Sequence, residues 1–180
     1  MTDTQRDERT RMIRVDQAGE FGATRIYAGQ LAVMGSRAPH SAEIRAMADQ
    51  EAGHRAQFDA LLARRGVRPT ALQPLWSAAG YALGAATALI GPEAAMACTA
   101  AVETEIDLHY SRQLEELERS KGSADEDPEL TDMIERFRDD EREHHATAMA
   151  SGAEQAPAYP LLSAAIRFGC RAAIRLSERI

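Results

Sequence analysis

Apolar positions recur three or four residues apart along most of this chain, with polar residues between them, which is the spacing of a helix with one buried face. Met12, Val15, Phe21, Ile26, Leu31 and Met34 mark a first helix ending near Gly35-Ser36, with Pro39 as a breaker. Ser41 and Glu43 open a second, carried by Ile44, Met47, Phe58, Leu61 and Leu62 to about Arg65 and stopped by Gly66-Val67-Arg68-Pro69. Pro92 opens a third, running to about Arg119. Pro128 opens a fourth, with Leu130, Met133, Ile134 and Phe137 on one face and an end near Ser151-Gly152. A last helix is predicted over 161–180. Nothing alternates with the period of a strand.

Three stretches depart from this pattern. Residues 1–11 are polar, carry both signs of charge and read as a flexible leader; they lack the apolar core of a secretory signal. Residues 69–92 carry no charge at all. That length would span a bilayer, but the segment is rich in Ala and Gly and broken by Pro74 and Gly91-Pro92. The expectation is an apolar crossover over 66–92 containing a short helix, packed on the bundle or dipping into a lipid interface. In the last helix, Arg167, Arg171, Arg175 and Arg179 are spaced by four and form one basic stripe, beside Leu162, Ile166, Phe168, Ile174 and Leu176. That pattern describes either a membrane-surface helix or a capping helix with a solvated arginine face. The glycines of the first helix, Gly19, Gly22 and Gly29, each cost about 1 kcal/mol of helix propensity relative to alanine and point to close approach of a neighbour.

Composition narrows the class. A chain of 180 residues with 5% aromatics, abundant alanine and few β-branched residues favours an all-α fold in one domain, over 12–180. A net charge of −7 argues against a nucleic-acid partner. Two cysteines, Cys98 and Cys170, form no framework and no CxxC, which fits a reducing compartment.

Chemistry enters with a repeated motif. Glu51-x-x-His54 and Glu141-x-x-His144 each place a carboxylate and an imidazole on one helix face. Two such helices, each with a helix offering one further Glu, supply the ligands of a two-metal helical bundle. Glu20 lies among small and apolar residues of the first helix, and Glu103 ends the apolar run Ala94–Val102 of the third, with Glu105 as its competitor. Glu20 precedes Glu51 by 31 residues and Glu103 precedes Glu141 by 38, so 12–65 and 93–151 read as two pseudo-repeats. Four carboxylates balance two divalent ions, and oxygen-plus-imidazole ligation suits iron or manganese. Asp16 and Asp107, four residues from Glu20 and Glu103, are placed to support the ligands; Asp49 and Asp139 are less well placed.

Several longer strings then carry a resemblance. Ile13-Arg14-Val15-Asp16-Gln17-Ala18-Gly19-Glu20-Phe21-Gly22-Ala23, Arg68-Pro69-Thr70, Pro74-Leu75-Trp76, Ala94-Ala95-Met96-Ala97-Cys98-Thr99, Phe137-Arg138-Asp139, Glu143-His144-His145 and Ala156-Pro157-Ala158-Tyr159 are among them. The chain resembles the Coq7/CLK-1 family, the di-iron demethoxyubiquinone hydroxylases of ubiquinone biosynthesis, over nearly everything after residue 12. The resemblance implies a ferritin-like four-helix bundle with an added C-terminal helix. It implies two Fe ions held by Glu20, Glu51, His54, Glu103, Glu141 and His144, choosing Glu103 over Glu105. It also implies a relay role for the pair His109-Tyr110, O2 as co-substrate and NADH or an equivalent as reductant. A polyprenyl quinone substrate and peripheral attachment to a membrane surface follow, here the cytoplasmic face of the cell membrane. A homo-oligomer or a partner from the biosynthetic complex is a further expectation. The runner-up is a ferritin-like iron-oxidising or storage protein; a metal-free helical interaction module is a third reading.

Overall fold

The computed structural model describes residues 3–179, with side chains from residue 5. Among them all regular structure is helical: α1 (Asp3–Met34), α2 (Ser41–Arg65), α3 (Gln73–Ile90), α4 (Pro92–Glu118), α5 (Pro128–Ala150), a single 3-10 turn at Ala153–Gln155, and α6 (Tyr159–Ser177). The all-α expectation holds. Local chemistry explains the boundaries. Gly66, at φ 65°, turns its N–H back to the Ala63 and Leu62 carbonyls and closes α2. Asp127 accepts from the Leu130 N–H and opens α5, with Pro128 in the first turn.

The stretch read as a leader is helical from Asp3. Helix α1 starts at Asp3, nine residues before the first apolar stripe position, and only residues 1 and 2 of the leader lie outside the described residues. The cause is Arg9, which is buried and donates from Nη2 to Ser120 Oγ at 2.8 Å. One charged side chain ties the extra turns to the loop after α4.

The four long helices pair as α1 with α2 and α4 with α5, and the two pairs face each other across a wider gap. Helix α4 is central. Every residue from Ala94 to Glu103 is buried, which is possible only because most of them are small and let neighbours pack all round.

The crossover contains a full helix rather than a short one. Helix α3 lies along α1, its most extensive partner, and α6 lies along α4. Glycine makes the α1–α3 approach possible: a Cβ on Gly84 would sit 1.9 Å from the Ile26 carbonyl oxygen, and one on Gly29 would sit 2.2 Å from that of Tyr81. Gly19 and Gly22 differ, because a Cβ there would meet nothing within 4 Å. Among the described residues no helix is long and apolar enough to cross a membrane.

Helix α6 is rotated against expectation. Arg167 Nε and Arg171 Nη1 both donate to Oε1 of buried Glu105, at 2.6 and 2.7 Å. The basic stripe is therefore not a free surface; half of it is committed to an ion pair that pins α6 to α4. Ile166 turns inward, and Leu161, Phe168 and Leu176 face out. Helix α3 likewise exposes Leu75, Tyr81, Leu89 and Ile90.

Candidate metal centre

The buried stripe of α2 reads Ile44, Met47, Glu51, His54, Phe58, Leu61, and that of α5 reads Leu130, Ile134, Phe137, Glu141, His144, Ala148. Glutamate and histidine occupy positions where the helical period demands an apolar residue. Ionisable groups there are costly unless a partner is supplied. Glu51 and Glu141 are 0% exposed, Glu20 and Glu103 1%, and His54 and His144 3%.

Helix pairing brings all six together. Glu20, Glu51, His54 and Glu141 offer ligand atoms within 4.8 Å of one another, and so do Glu51, Glu103, Glu141 and His144. Glu51 and Glu141 belong to both groups, so they would bridge two ions, while Glu20 with His54 and Glu103 with His144 would each cap one. In both histidines Nδ1 faces inward: His54 Nδ1 is 3.6 Å from Glu20 Oε2 and 3.5 Å from Glu141 Oε1, and His144 Nδ1 is 3.1 Å from Glu51 Oε1 and 3.2 Å from Glu141 Oε2.

These residues fit a metal pair. Glu20 Oε2, both oxygens of Glu51, Glu103 Oε2, Glu141 Oε1 and His54 Nδ1 are buried without a hydrogen-bond partner. Bound cations would satisfy these converging atoms together. Burial, then repulsion from Glu141, pushes Glu51 and Glu103 well above the usual carboxylate range, and burial raises Glu141 as well. Burial lowers His54, but the nearby carboxylates of Glu141 and Glu20, facing its Nδ1, outweigh it and carry its pKa to about 10. His144 moves the other way, lowered chiefly by burial. Two divalent ions would remove the carboxylate repulsion, and the absence of thiolate suits iron or manganese.

The surrounding residues follow a twofold pattern. Tyr110, seven residues after Glu103, donates to Glu20 Oε1 across the bundle; Tyr27, seven after Glu20, donates to Glu103 Oε1 at 2.9 Å. The outward nitrogens behave alike: His54 Nε2 donates to Asp140 Oδ2 at 2.9 Å and His144 Nε2 to Gln50 Oε1 at 3.1 Å. Asp140 and Gln50 immediately precede Glu141 and Glu51. Sequence reasoning missed Tyr27, Asp140 and Gln50, although their matching offsets in the two repeats were a usable signal. Asp107 is a correction: it pairs with Arg142 at 2.7 Å instead of supporting a ligand. Asp16 does lie near the centre, accepting from His109 Nε2 at 3.2 Å and Gln113 Nε2 at 2.8 Å. Glu105 is absent from the cluster because it faces α6.

Two cavities lie beside the helices that carry these residues. A groove of about 520 Å³ runs between α3 and α6, whose Cα traces nowhere come within 8 Å of each other. It is lined almost wholly by apolar side chains. Its floor includes Gly19 and Ala23 of α1 and Val102 and Ile106 of α4, the neighbours of Glu20 and Glu103. One end is bridged by Trp76 Nε1, donating to Ser177 Oγ at 3.0 Å. A second, polar cavity of about 340 Å³ is lined by Arg11, Arg112, Arg171 and Arg175 together with Glu105, Glu116 and Glu178, and reaches His109.

Comparison with known proteins agrees with this geometry. The family model described as "Ubiquinone biosynthesis protein COQ7" matches residues 7–177. The chain is 53% identical to a Mus musculus protein named NADPH-dependent 3-demethoxyubiquinone 3-hydroxylase, mitochondrial, over 94% of this chain and 76% of that protein. It is 52% identical to the Rhodospirillum rubrum 3-demethoxyubiquinol 3-hydroxylase, covering 94% and 77%. It is 46% identical to the Saccharomyces cerevisiae 5-demethoxyubiquinone hydroxylase, mitochondrial, covering 100% and 82%. A helical bundle with paired Glu-x-x-His helices, matched by that model from α1 to the end of α6, belongs to the COQ7 family of ubiquinone biosynthesis proteins.

Proposed function

We propose that this protein hydroxylates the ring of a demethoxyubiquinone or its quinol, as a monooxygenase with two iron ions held by Glu20, Glu51, His54, Glu103, Glu141 and His144. The observation that carries this reading is the apolar groove whose floor adjoins the residues bearing Glu20 and Glu103. A flat ring entering it stops beside the ligand helices, and a polyprenyl tail lies between α3 and α6 with few polar groups to desolvate. A pair of iron ions, when bound, supplies O2 activation. The reaction balances when O2 and a two-electron donor with two protons convert a ring C–H to C–OH and release water.

The chain's own residues position and protect. Burial of all six ligands excludes water from the centre. Tyr110 holds Glu20 through its hydroxyl, and His109, seated on Asp16, links that region to the arginine-lined cavity. The two electrons come from a reduced nicotinamide dinucleotide, NADPH or NADH, the first being the donor in the name of the Mus musculus relative. The exposed apolar faces of α3 and α6 flank the groove and give the protein a peripheral seat on a lipid surface. From there a quinone moves into the groove without crossing water. In a bacterial cell this surface is the cytoplasmic face of the membrane.

A single-turnover experiment tests the reading. Reduced, iron-loaded protein is mixed with a short-tailed demethoxyquinol and isotopically labelled dioxygen. One labelled oxygen in the ring is the expected result. Label found only in water or peroxide, with the quinol intact, overturns it in favour of an iron-oxidising protein.

A further inference from the structure

The two halves of the centre match in ligands but not in what stands behind them. His54 Nε2 donates to a carboxylate, Asp140, and His144 Nε2 to a neutral amide, Gln50. The positions correspond, each being the residue before the glutamate of the opposite Glu-x-x-His helix. Only the chemistry of the acceptor differs. A carboxylate draws the Nε2 proton more strongly than an amide oxygen and raises the donor strength of Nδ1, the nitrogen that faces the centre. The His54 ring is also held by stacking on Phe137, with centroids 4.0 Å apart.

A second asymmetry falls on the same side. Tyr110, which holds Glu20, directly follows His109, whose polar partners are Asp16 and Gln113; His109 and Gln113 line the polar cavity. Its counterpart Tyr27 has Met47 Sδ as its other neighbour, at 3.9 Å, inside the apolar core. The Glu20–His54 position is backed by carboxylates, Asp140 and Asp16, and the Glu103–His144 position by a neutral amide, Gln50, and a thioether, Met47.

We propose that the two metal positions are inequivalent, and that Asp140 is the positioning residue that makes the Glu20–His54 position the tighter of the two. The proposal rests on the metal-centre reading above. Loss of such a supporting partner lowers metal affinity by about 10- to 100-fold. The Asp140 side chain is 33% exposed, and water screens part of its charge, so the lower end applies.

The test uses metal-free full-length protein titrated anaerobically with Mn(II), which is visible by electron paramagnetic resonance and does not change oxidation state. Wild-type protein should bind two ions in separate steps, with about a tenfold gap in affinity and a mononuclear signal at one equivalent. Asp140→Asn should weaken the first step about tenfold and, at one equivalent, replace part of the mononuclear signal with that of the coupled pair. Gln50→Glu should tighten the second step. His144→Ala should retain the tight step and His54→Ala should lose it. The melting temperature of metal-free Asp140→Asn should match wild type, whereas a merely structural role would lower it and weaken both steps together. Two equal affinities in wild type, or unchanged steps in both Asp140→Asn and Gln50→Glu, would overturn the proposal. Failure to bind any ion would instead remove the metal-centre reading itself.

Discussion

Replacing Gly84 by alanine should separate α3 from α1, and the size of the effect follows from the geometry. A Cβ there would lie 1.9 Å from the Ile26 carbonyl oxygen and 2.8 Å from its carbon. An ordinary carbon–oxygen contact is about 3.3 Å, so the new methyl is too close by about 1.4 Å. Both obstructing atoms are helix backbone, and no rotamer change relieves them. Overpacking of this kind costs about 3 kcal/mol, the upper end of the usual range. Alanine returns about 1 kcal/mol through helix propensity, leaving a net loss of about 2 kcal/mol. For a chain of this size that lowers the melting temperature by about 4–8 °C. Gly53 is the matched control: it is exposed in mid-α2, and a Cβ there would meet nothing within 4 Å. Gly53→Ala should raise the melting temperature by about 2–4 °C, from propensity alone. Both variants are melted at the same metal loading and scan rate, with helix content followed by circular dichroism. The reasoning fails if Gly84→Ala melts at or above wild type while Gly53→Ala behaves as expected.

Gly19→Leu should separate stability from activity, since its side chain would enter the groove without a backbone clash; melting should hold or rise while turnover of a quinol substrate falls at least about tenfold, from lost access. The metal-free protein should lose stability as pH rises from about 5 to 8. Glu51, Glu103 and Glu141 have folded-state pKa values raised above their unfolded values, and His54 is raised to about 10, so each contributes fully below its unfolded pKa and loses that contribution as pH climbs. Denaturant midpoints across that range should fall without metal and flatten with it; a rising midpoint in the metal-free protein would contradict the sign. Attachment to lipid should depend on the outward faces of α3 and α6. Leu161→Glu with Phe168→Glu should abolish flotation with liposomes, and wild-type flotation should survive high salt. Salt-sensitive flotation that persists in the double variant would return the role to the arginines.

Much of the candidate site is legible along the chain because its residues sit on a regular period. Glu51 and His54 interrupt the α2 stripe at positions where Met47 and Phe58 predict burial, and Glu141 and His144 do the same in α5. A carboxylate on a core position needs a partner wherever the helix packs, and this reasoning requires no knowledge of the neighbour. The start of α1 was not legible in the same way. Its first turns are polar, and the one buried side chain among residues 5–11, Arg9, is held by Ser120, more than a hundred residues away.

The sequence by itself determined that the fold is helical, the order of the long helices, the buried faces of α2 and α5, and the ligand types those faces carry. These are properties of one helix at a time, set by period, capping and composition. Tertiary structure alone decided the pairings across helices: Tyr110 with Glu20 and Tyr27 with Glu103, Asp140 behind His54, and Glu105 with Arg167 and Arg171 in place of the metal centre. It also turned Arg167 and Arg171 of α6 toward the bundle and Leu161, Phe168 and Leu176 outward. An amphipathic pattern has two candidate inner faces when one is apolar and the other can satisfy a buried carboxylate. Glu105, on a neighbouring helix, settled the rotation, because a buried charge left unpaired costs more than exposing a few apolar side chains.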